Sequence, residues 1–191
     1  YGYCITQILS FLNREGFEER IEYVVSEYIG DEFDLITNRT LRKQIEGRQK
    51  LKVGTIAPDI QIPDINRDKV GLHDLFKKNK LNLVMFWSST CPHCMETIPE
   101  IKTIYESYRS AGLEVIAVSI DKKKDEWQQA IDQENLEWIN ISSLKGWDSE
   151  STDVYYVSYT TTFYLVDNQT TIVGRPDGKE DVIRMLNNLL R

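Results

Sequence analysis

Cysteine, histidine and long apolar runs are scarce in this chain of 191 residues, and each shortage excludes a class of protein. Three cysteines are too few for the disulfide framework of a small secreted domain. The sequence has only two histidines, and the cysteines and histidines together do not give four zinc ligands at a recognisable spacing. No apolar run approaches the ~18 residues of a membrane-spanning helix. A chain of this length is therefore expected to fold around a packed hydrophobic core.

Positive charge is also in short supply. The chain has 23 Lys and Arg against 30 Asp and Glu, and its net charge of −7 argues against nucleic acid or an anionic membrane as the principal partner. Short lysine runs at residues 77–78 and 122–124 are interpreted as solvated surface. An apolar fraction of 41% is ordinary for a globular protein. The length fits one domain of about 140 residues plus an appendage.

The start of the sequence bears on its cellular location. No signal peptide precedes Tyr1, and the chain begins within a helical pattern. We therefore expect it to be part of a longer protein, in which an export signal or a membrane tether would lie outside this sequence. Composition by itself leaves the redox compartment open.

The most informative feature is Cys-Pro-His-Cys at residues 91–94, which follows an apolar β-type run at Leu83–Trp87 and opens a helical stretch. Two cysteines three residues apart share one face of a helical turn and lie near enough to form a disulfide. Cys91 would be the helix N-cap, where unpaired N–H groups and the positive end of the dipole favour a thiolate. We predict a dithiol redox centre with Cys91 as the low-pKa nucleophile and Cys94 as the resolving thiol.

The residues around the two cysteines fit this interpretation. Pro92 suits the first helical position, because its fixed φ matches a helix and its missing N–H would have gone unbonded anyway. His93, when protonated, adds positive charge beside both sulfurs, and Trp87 is expected to pack under the loop. The alternatives are half of a zinc site, for which only Cys4 and His73 remain as further ligands, and an inert structural disulfide.

Hydrophobic spacing predicts two kinds of region. Residues 1–50 are predicted to form a small helical region with breaks at residues 13–16 and 30–34. Its apolar positions repeat at helical spacing: Ile5, Ile8, Leu9, Leu12, Ile21, Val24, Val25, Tyr28 and Ile29. Residues 51–191 are predicted to form an α/β domain of alternating strands and helices with partly parallel pairing and an antiparallel final edge.

The predicted elements of the α/β domain are short. The strands are Ile60–Ile62, Leu83–Trp87, Val115–Ile120, Phe163–Val166 and Thr171–Gly174. The helices are Thr97–Ser110, Lys124–Glu134 and Glu180–Leu190. Both sets are consistent with βαβ units around one sheet.

Several segments together resemble the thioredoxin-like domain of TlpA/ResA-type thiol:disulfide oxidoreductases, which are grouped with the alkyl hydroperoxide reductase/thiol-specific antioxidant (AhpC/TSA) family. They are Gly-Thr-Ile-Ala-Pro-Asp at 54–59, Phe-Trp-Ser-Ser-Thr-Cys-Pro-His-Cys at 86–94, Pro99, Val-Ile-Ala-Val-Ser-Ile-Asp at 115–121, and the segment from Leu144 to Val157. The resemblance covers about residues 54–191 and implies a three-layer α/β/α sandwich with a mixed central sheet. In this family Pro99 stands where the active-site helix kinks.

The resemblance also implies a function. It implies dithiol/disulfide exchange with protein substrates in the periplasm or cell envelope, an upstream electron donor, and neither cofactor nor resident metal. It favours the direction of a reductant, although Pro-His between the cysteines is also found in strongly oxidising enzymes. The threonines at Thr160, Thr161 and Thr162 would offer backbone groups to an extended substrate segment.

Two positions depart from the family pattern. Met85 stands where thioredoxins have a buried acid, so a carboxylate at that position cannot be the base for Cys94. Thr161 stands where the family has a cis-proline. If the loop keeps its family shape, the Thr160–Thr161 bond is cis, which is rare outside proline and is the form we favour, and a trans bond with a displaced loop is the alternative. Because that proline is understood to discourage metal binding, adventitious zinc, copper or iron–sulfur binding is a secondary hypothesis.

Two further functions remain as alternatives. A thiol peroxidase would oxidise Cys91 to a sulfenic acid, but Ser88 occupies the place of the family's threonine and Arg175 has no assignable link to the site. A non-catalytic protein, such as a copper carrier or a scaffold using the N-terminal helices, is the other. Copper carriers of this fold usually separate their cysteines by three residues, which counts against that function.

Overall fold

A computed structural model describes residues 1–14 and 18–190 of the chain. The chain divides into two compact units, with the break between Lys50 and Leu51. The predicted break at residues 13–16 lies partly outside the described residues. In the described residues no helix is both long and apolar enough to cross a membrane.

The first unit is helical. It consists of α1 (Gly2–Arg14), α2 (Glu18–Tyr28), a 3₁₀ turn at Phe33–Leu35 and α3 (Arg39–Lys50). Its buried apolar side chains form one cluster: Ile5, Leu9, Leu12, Ile21, Val25, Ile29, Phe33, Ile36, Leu41 and Ile45. The buried stripe is narrower than the apolar pattern, because Ile8 and Tyr28 are about half exposed.

The second unit contains the strands. They are β1 (Gln61–Pro63), β2 (Lys69–Gly71), β3 (Leu81–Trp87), β4 (Leu113–Ser119), β5 (Ile139–Ser142), β6 (Thr162–Asp167) and β7 (Ile172–Gly174). The helices are α4 (Leu72–Phe76), α5 (Pro92–Tyr108), α6 (Lys124–Glu134), α7 (Glu150–Val154) and α8 (Lys179–Leu189). The five-stranded sheet has the order β5-β4-β3-β6-β7, and β1 pairs with β2 in a separate hairpin.

The central sheet is mixed, as predicted. Strand β4 runs parallel to β3 and β5, whereas β6 runs antiparallel to β3 and β7. All seven residues of β3 are buried, because successive side chains point to opposite faces and both faces are covered. Its odd-numbered residues, from Leu81 to Trp87, pack with α5, α6 and α8, and Val84 and Phe86 pack with α4 on the other face. These three layers confirm the predicted α/β/α sandwich.

Several predicted boundaries were displaced by one or two residues, and some elements were missed. Strand β5 was missed because an edge strand of four residues carries too little alternation to stand out. Helix α5 begins at Pro92, as the N-cap prediction for Cys91 requires, rather than at the Thr97 given by hydrophobic spacing, and it continues as helix through Pro99. Met95 is the only large apolar residue among residues 92–96, so apolar periodicity did not reveal this first turn.

Candidate active site

The two motif cysteines lie at the N-terminus of α5. Cys91 is the N-cap residue, with extended backbone angles, and Pro92 follows in the first turn. The backbone N–H of Cys94 donates a hydrogen bond to the Sγ of Cys91 at 3.2 Å. The sulfur therefore takes the place of the oxygen acceptor that Ser or Asp would supply at an N-cap. This places Cys91 where the spacing predicts it.

The two thiols differ in exposure and in pKa. Both are free thiols, with Cys91 partly exposed and Cys94 completely buried. Burial acts to raise the pKa of Cys91, but hydrogen bonds from the Cys94 thiol and from the backbone N–H groups of Cys94 and His93 outweigh it, so this pKa lies below its ordinary value. Burial raises the pKa of Cys94 to about 11, and its hydrogen bond with Cys91 adds to the increase. Cys91 therefore forms a thiolate more readily than an ordinary cysteine, whereas Cys94 keeps its proton.

The residues flanking the cysteines have distinct positions. His93 is exposed, and its backbone N–H is one of the donors that lower the pKa of Cys91. Trp87 is completely buried at the end of β3, in the apolar cluster that also contains Cys94. Its Nε1 has no hydrogen-bond partner in the described part of the chain. Met85 is buried in the same cluster, so the position that holds an acid in thioredoxins is apolar here.

The loop before β6 reaches both sulfurs. The Thr160–Thr161 peptide is cis, as the resemblance implied. The Sγ of Cys91 lies 3.9 Å from the carbonyl oxygen of Thr160, and the buried Thr161 hydroxyl lies 3.9 Å from the Sγ of Cys94. Thr162 begins β6, and its hydroxyl donates to the carbonyl of Tyr159. The structure therefore brings Cys91 and Cys94 together with Thr160 and Thr161, whereas the Thr162 hydroxyl is bonded to Tyr159.

A cavity of about 370 Å³ opens beside Cys91. Its walls include Thr160 from the loop before β6, Lys122 and Lys123 after β4, and Trp147 from a 3₁₀ turn. The Trp147 side chain is 46% exposed. The cavity therefore offers apolar surface and polar groups directly next to the more reactive sulfur.

The sequence interpretation gave no role to Asp121, although it lies next to the site. Its carboxylate accepts hydrogen bonds from Ser88 and Ser89, the loop residues that lead to Cys91. A signal was present, since an acidic residue follows an apolar strand while a run of three hydroxyl residues follows the neighbouring strand. The carboxyl ends of neighbouring parallel strands lie at the same edge of a sheet. Asp121 follows β4 and the hydroxyl residues follow β3, so they come together at this edge.

Other candidate residues are used elsewhere. His73 lies on α4, and its Nε2 is 2.7 Å from the carbonyl oxygen of Ala57. Cys4 belongs to the helical unit and is exposed. The guanidinium of Arg175 lies over the ring of Tyr164, 5.2 Å from its centroid. Among residues 1–14 and 18–190, no three or more His, Cys, Asp or Glu side chains form a group that could hold a metal ion.

Comparison with known proteins gives consistent matches. Residues 53–179 match the AhpC/TSA family. The thiol-disulfide oxidoreductase ResA of Bacillus cereus is 26% identical over 133 residues, covering 70% of this chain and 74% of that protein. ResA of Bacillus subtilis is 25% identical over 147 residues, covering 76% and 79%.

Solved structures show the same similarity. The thioredoxin domain of a thiol-disulfide oxidoreductase from Bacteroides vulgatus aligns with a TM-score of 0.67 at 25% identity, covering 74% of this chain and 99% of that one. A thioredoxin-like protein from Bacteroides caccae aligns with a TM-score of 0.69 at 20% identity, covering 88% and 60%, and this likeness concerns the fold alone. The family match spans more than half of the chain. This chain therefore belongs to the AhpC/TSA family, as a thioredoxin-like member of the TlpA/ResA type.

Proposed function

We propose that this protein is a thiol:disulfide oxidoreductase that reduces disulfides of protein substrates in the cell envelope. The observation that carries the proposal is the difference between the two sulfurs at the start of α5. Cys91 is partly exposed with a lowered pKa, and Cys94 is buried with a raised one. The names of the ResA relatives support the same activity.

The first step is attack by the Cys91 thiolate on a substrate disulfide. One Sγ–S bond forms between Cys91 and the substrate, and the substrate's own S–S bond breaks. The departing sulfur leaves as a thiolate. The lowered pKa of Cys91 favours this step, because only the thiolate is nucleophilic. Pro92 defines the helix start, and a protonated His93 would add positive charge beside the attacking sulfur.

The second step releases the substrate. Cys94 loses its proton, attacks the Sγ of Cys91, and expels the second substrate sulfur as a thiolate. The substrate has then gained two electrons, the enzyme holds a Cys91–Cys94 disulfide, and the two released thiolates become thiols with one proton from Cys94 and one from water. Since Met85 provides no base, water or the first released thiolate takes the proton of Cys94. An upstream electron donor then reduces the enzyme again.

The cavity beside Cys91 is the proposed seat of the substrate. The carbonyl of Thr160 and the backbone of Thr161 and Thr162 would bond an extended segment next to the reactive sulfur. Exposed aromatic side chains at Trp147 and Tyr159 supply apolar contact area of the kind that carries binding energy in protein interfaces. Trp87, which is buried at the end of β3, is proposed to pack under the active-site loop that leads to Cys91.

We also propose that residues 51–191 form the redox domain and residues 1–50 a separate helical domain. Each unit has its own buried apolar cluster, which supports the division. A membrane tether outside this sequence fits an envelope location. Expression of residues 51–191 alone should yield a folded, active protein, whereas an unfolded product would contradict the division.

The test of function uses trapping. Cys94→Ser should hold a disulfide-containing protein substrate as a stable adduct on Cys91, visible on a non-reducing gel and by mass spectrometry. Cys91→Ser should hold none, and adding Cys4→Ser to Cys94→Ser should leave the adduct unchanged. An adduct that persists in Cys91→Ser, or is lost in the Cys4→Ser, Cys94→Ser double variant, would contradict the assigned nucleophile.

The direction of electron flow has its own measurement. We expect equilibration with glutathione to place the Cys91–Cys94 couple toward the reducing end of the roughly −270 to −120 mV range of related centres. A potential above about −150 mV would identify an oxidant instead.

A further inference from the structure

Asp121 is a buried carboxylate next to the active-site loop. It follows the end of β4 and is only 4% exposed. Its Oδ1 accepts hydrogen bonds from the hydroxyls of Ser88 at 2.9 Å and Ser89 at 2.8 Å. Its Oδ2 accepts from the backbone N–H of Ser89 at 3.1 Å and from the hydroxyl of Ser119 at 2.7 Å. The carboxylate therefore joins the loop after β3 to the end of β4.

Burial makes these hydrogen bonds matter. An ionised carboxylate taken out of water is costly unless donors replace its hydration, and hydrogen bonds to a charged group are stronger than those between neutral groups. The nearby lysines are engaged with other acids, since Lys122 pairs with Asp148 and Lys123 with Glu126. Three of the four groups that donate to Asp121 belong to the loop, so moving the loop would leave the charge poorly compensated.

The loop in turn contacts both cysteines. The carbonyl of Ser88 accepts a hydrogen bond from the backbone N–H of Cys91 at 3.1 Å. The backbone of Ser88 also lies near the Cys94 thiol and acts to lower its pKa. The hydroxyl of Ser88 also lies 3.0 Å from that of Thr90, the residue before Cys91. Asp121 therefore holds the side chain of Ser88, and the backbone of Ser88 in turn bonds Cys91 and lies near Cys94.

We propose that Asp121 is a positioning residue: its carboxylate fixes Ser88 and Ser89 against β4, and so keeps Cys91 at the helix N-cap and the Ser88 backbone near Cys94. Asp121 acts through the loop, because its oxygens are occupied by loop and strand donors. The inference rests on the proposed dithiol function but concerns sulfur reactivity, which can be measured without any substrate protein.

The test separates this role from a simple charge effect. Asp121→Asn places amide hydrogens against the loop donors, and we expect Cys91 alkylation by iodoacetamide at pH 7 to slow about fivefold to tenfold. Its pH midpoint should rise, and the equilibrium with glutathione should shift toward the disulfide. Through charge alone, loss of a negative group would favour the Cys91 thiolate and speed alkylation. The two mechanisms therefore predict opposite signs.

Three controls make the outcome decisive. Ser89→Ala keeps the charge and removes one hydroxyl donor, so it should slow alkylation in the same direction by about twofold to threefold. Asp148→Asn removes an exposed carboxylate that bonds Lys122 and should change nothing. Cys4, an exposed thiol in the other unit, gives an internal reference rate when each cysteine peptide is quantified by mass spectrometry.

The proposal is overturned by unchanged or faster alkylation of Cys91 in folded Asp121→Asn. If Asp121→Asn does not fold, as judged by circular dichroism, Ser89→Ala decides, and an unchanged pH midpoint in that variant overturns it. Failure of the proposed function would look different. The unmodified protein would then show reactive Cys91 but no substrate adduct in Cys94→Ser.

Discussion

Two regions meet at the start of α5: the partly exposed surface around Cys91 and the apolar core around Cys94. On one side, Cys91 is partly exposed and faces a cavity of about 370 Å³. On the other, Cys94 lies within the apolar cluster that contains Trp87 and Met85. A spacing of three residues is enough to cross this boundary, because one turn of helix carries the chain from the surface into the core. Burial raises the pKa of Cys94, and hydrogen bonds at the helix start lower that of Cys91, so the two thiols differ in acidity.

The sharpest test removes one sulfur at a time. Cys91→Ser should lower disulfide reductase activity more than about 1,000-fold, since it eliminates the nucleophile. Cys94→Ser should also abolish turnover but still form a single mixed disulfide per molecule. A stopped assay of insulin reduction with mass analysis of adducts measures both. Equal adduct formation by the two variants would show that either sulfur can attack, and that the difference between the regions is not functional.

The second prediction concerns pH. Cys91 should be alkylated at lower pH than an ordinary thiol, because the N–H donors at the helix start stabilise its thiolate. Cys94 should remain protonated until about pH 11 in the reduced protein. The rates are measured in Cys94→Ser and Cys91→Ser, respectively, each in a Cys4→Ser background. Each replacement also removes the hydrogen bond between the two sulfurs, so the difference between the pH midpoints of Cys91 and Cys94 should be smaller in these variants than in the unmodified protein. Identical midpoints would contradict the prediction.

Features that depend on local sequence could be predicted, and features that depend on distant contacts could not. The apolar run at Leu83–Trp87 predicted a central strand, and the residue types at 91–94 predicted a helix start with a sulfur as N-cap. The short edge strand β5 was missed, and hydrophobic spacing did not extend α5 back to its first turn, since the local pattern is weak where few apolar residues repeat. The cis bond at Thr160–Thr161 came from family resemblance and from no local propensity.

The role of Asp121 marks a limit of another kind. Ser88, Ser89 and Asp121 are 32 or 33 residues apart in the chain, and only the parallel pairing of β3 with β4 places them together. No periodicity within either segment encodes that contact. The burial of Cys94 also could not be predicted from local sequence, because it results from α5 packing on the sheet rather than from the residues next to Cys94 in the chain.

A third prediction probes the exposed region alone. Trp147→Ala should raise the KM for a protein disulfide about threefold to tenfold and leave kcat nearly unchanged, because the indole contributes contact area and touches no reacting atom. Leu189→Ala, which shortens an exposed apolar side chain on α8, is the matched control. Steady-state kinetics with the same substrate distinguishes them, and a fall in kcat without change in KM would remove Trp147 from the binding surface.

The smallest expected effect probes the buried region. The Thr161 hydroxyl lies 3.9 Å from the Sγ of Cys94 and donates a weak hydrogen bond to that sulfur. Thr161→Val keeps the shape of the side chain but removes this donor, so the pKa of Cys94 should rise further and resolution of the mixed disulfide should slow by roughly twofold. Thr162→Val is the matched control, because its hydroxyl bonds Tyr159 instead. Rapid-quench measurement of adduct decay would detect the difference. Equal decay rates in the two variants would mean that apolar burial alone sets the behaviour of Cys94.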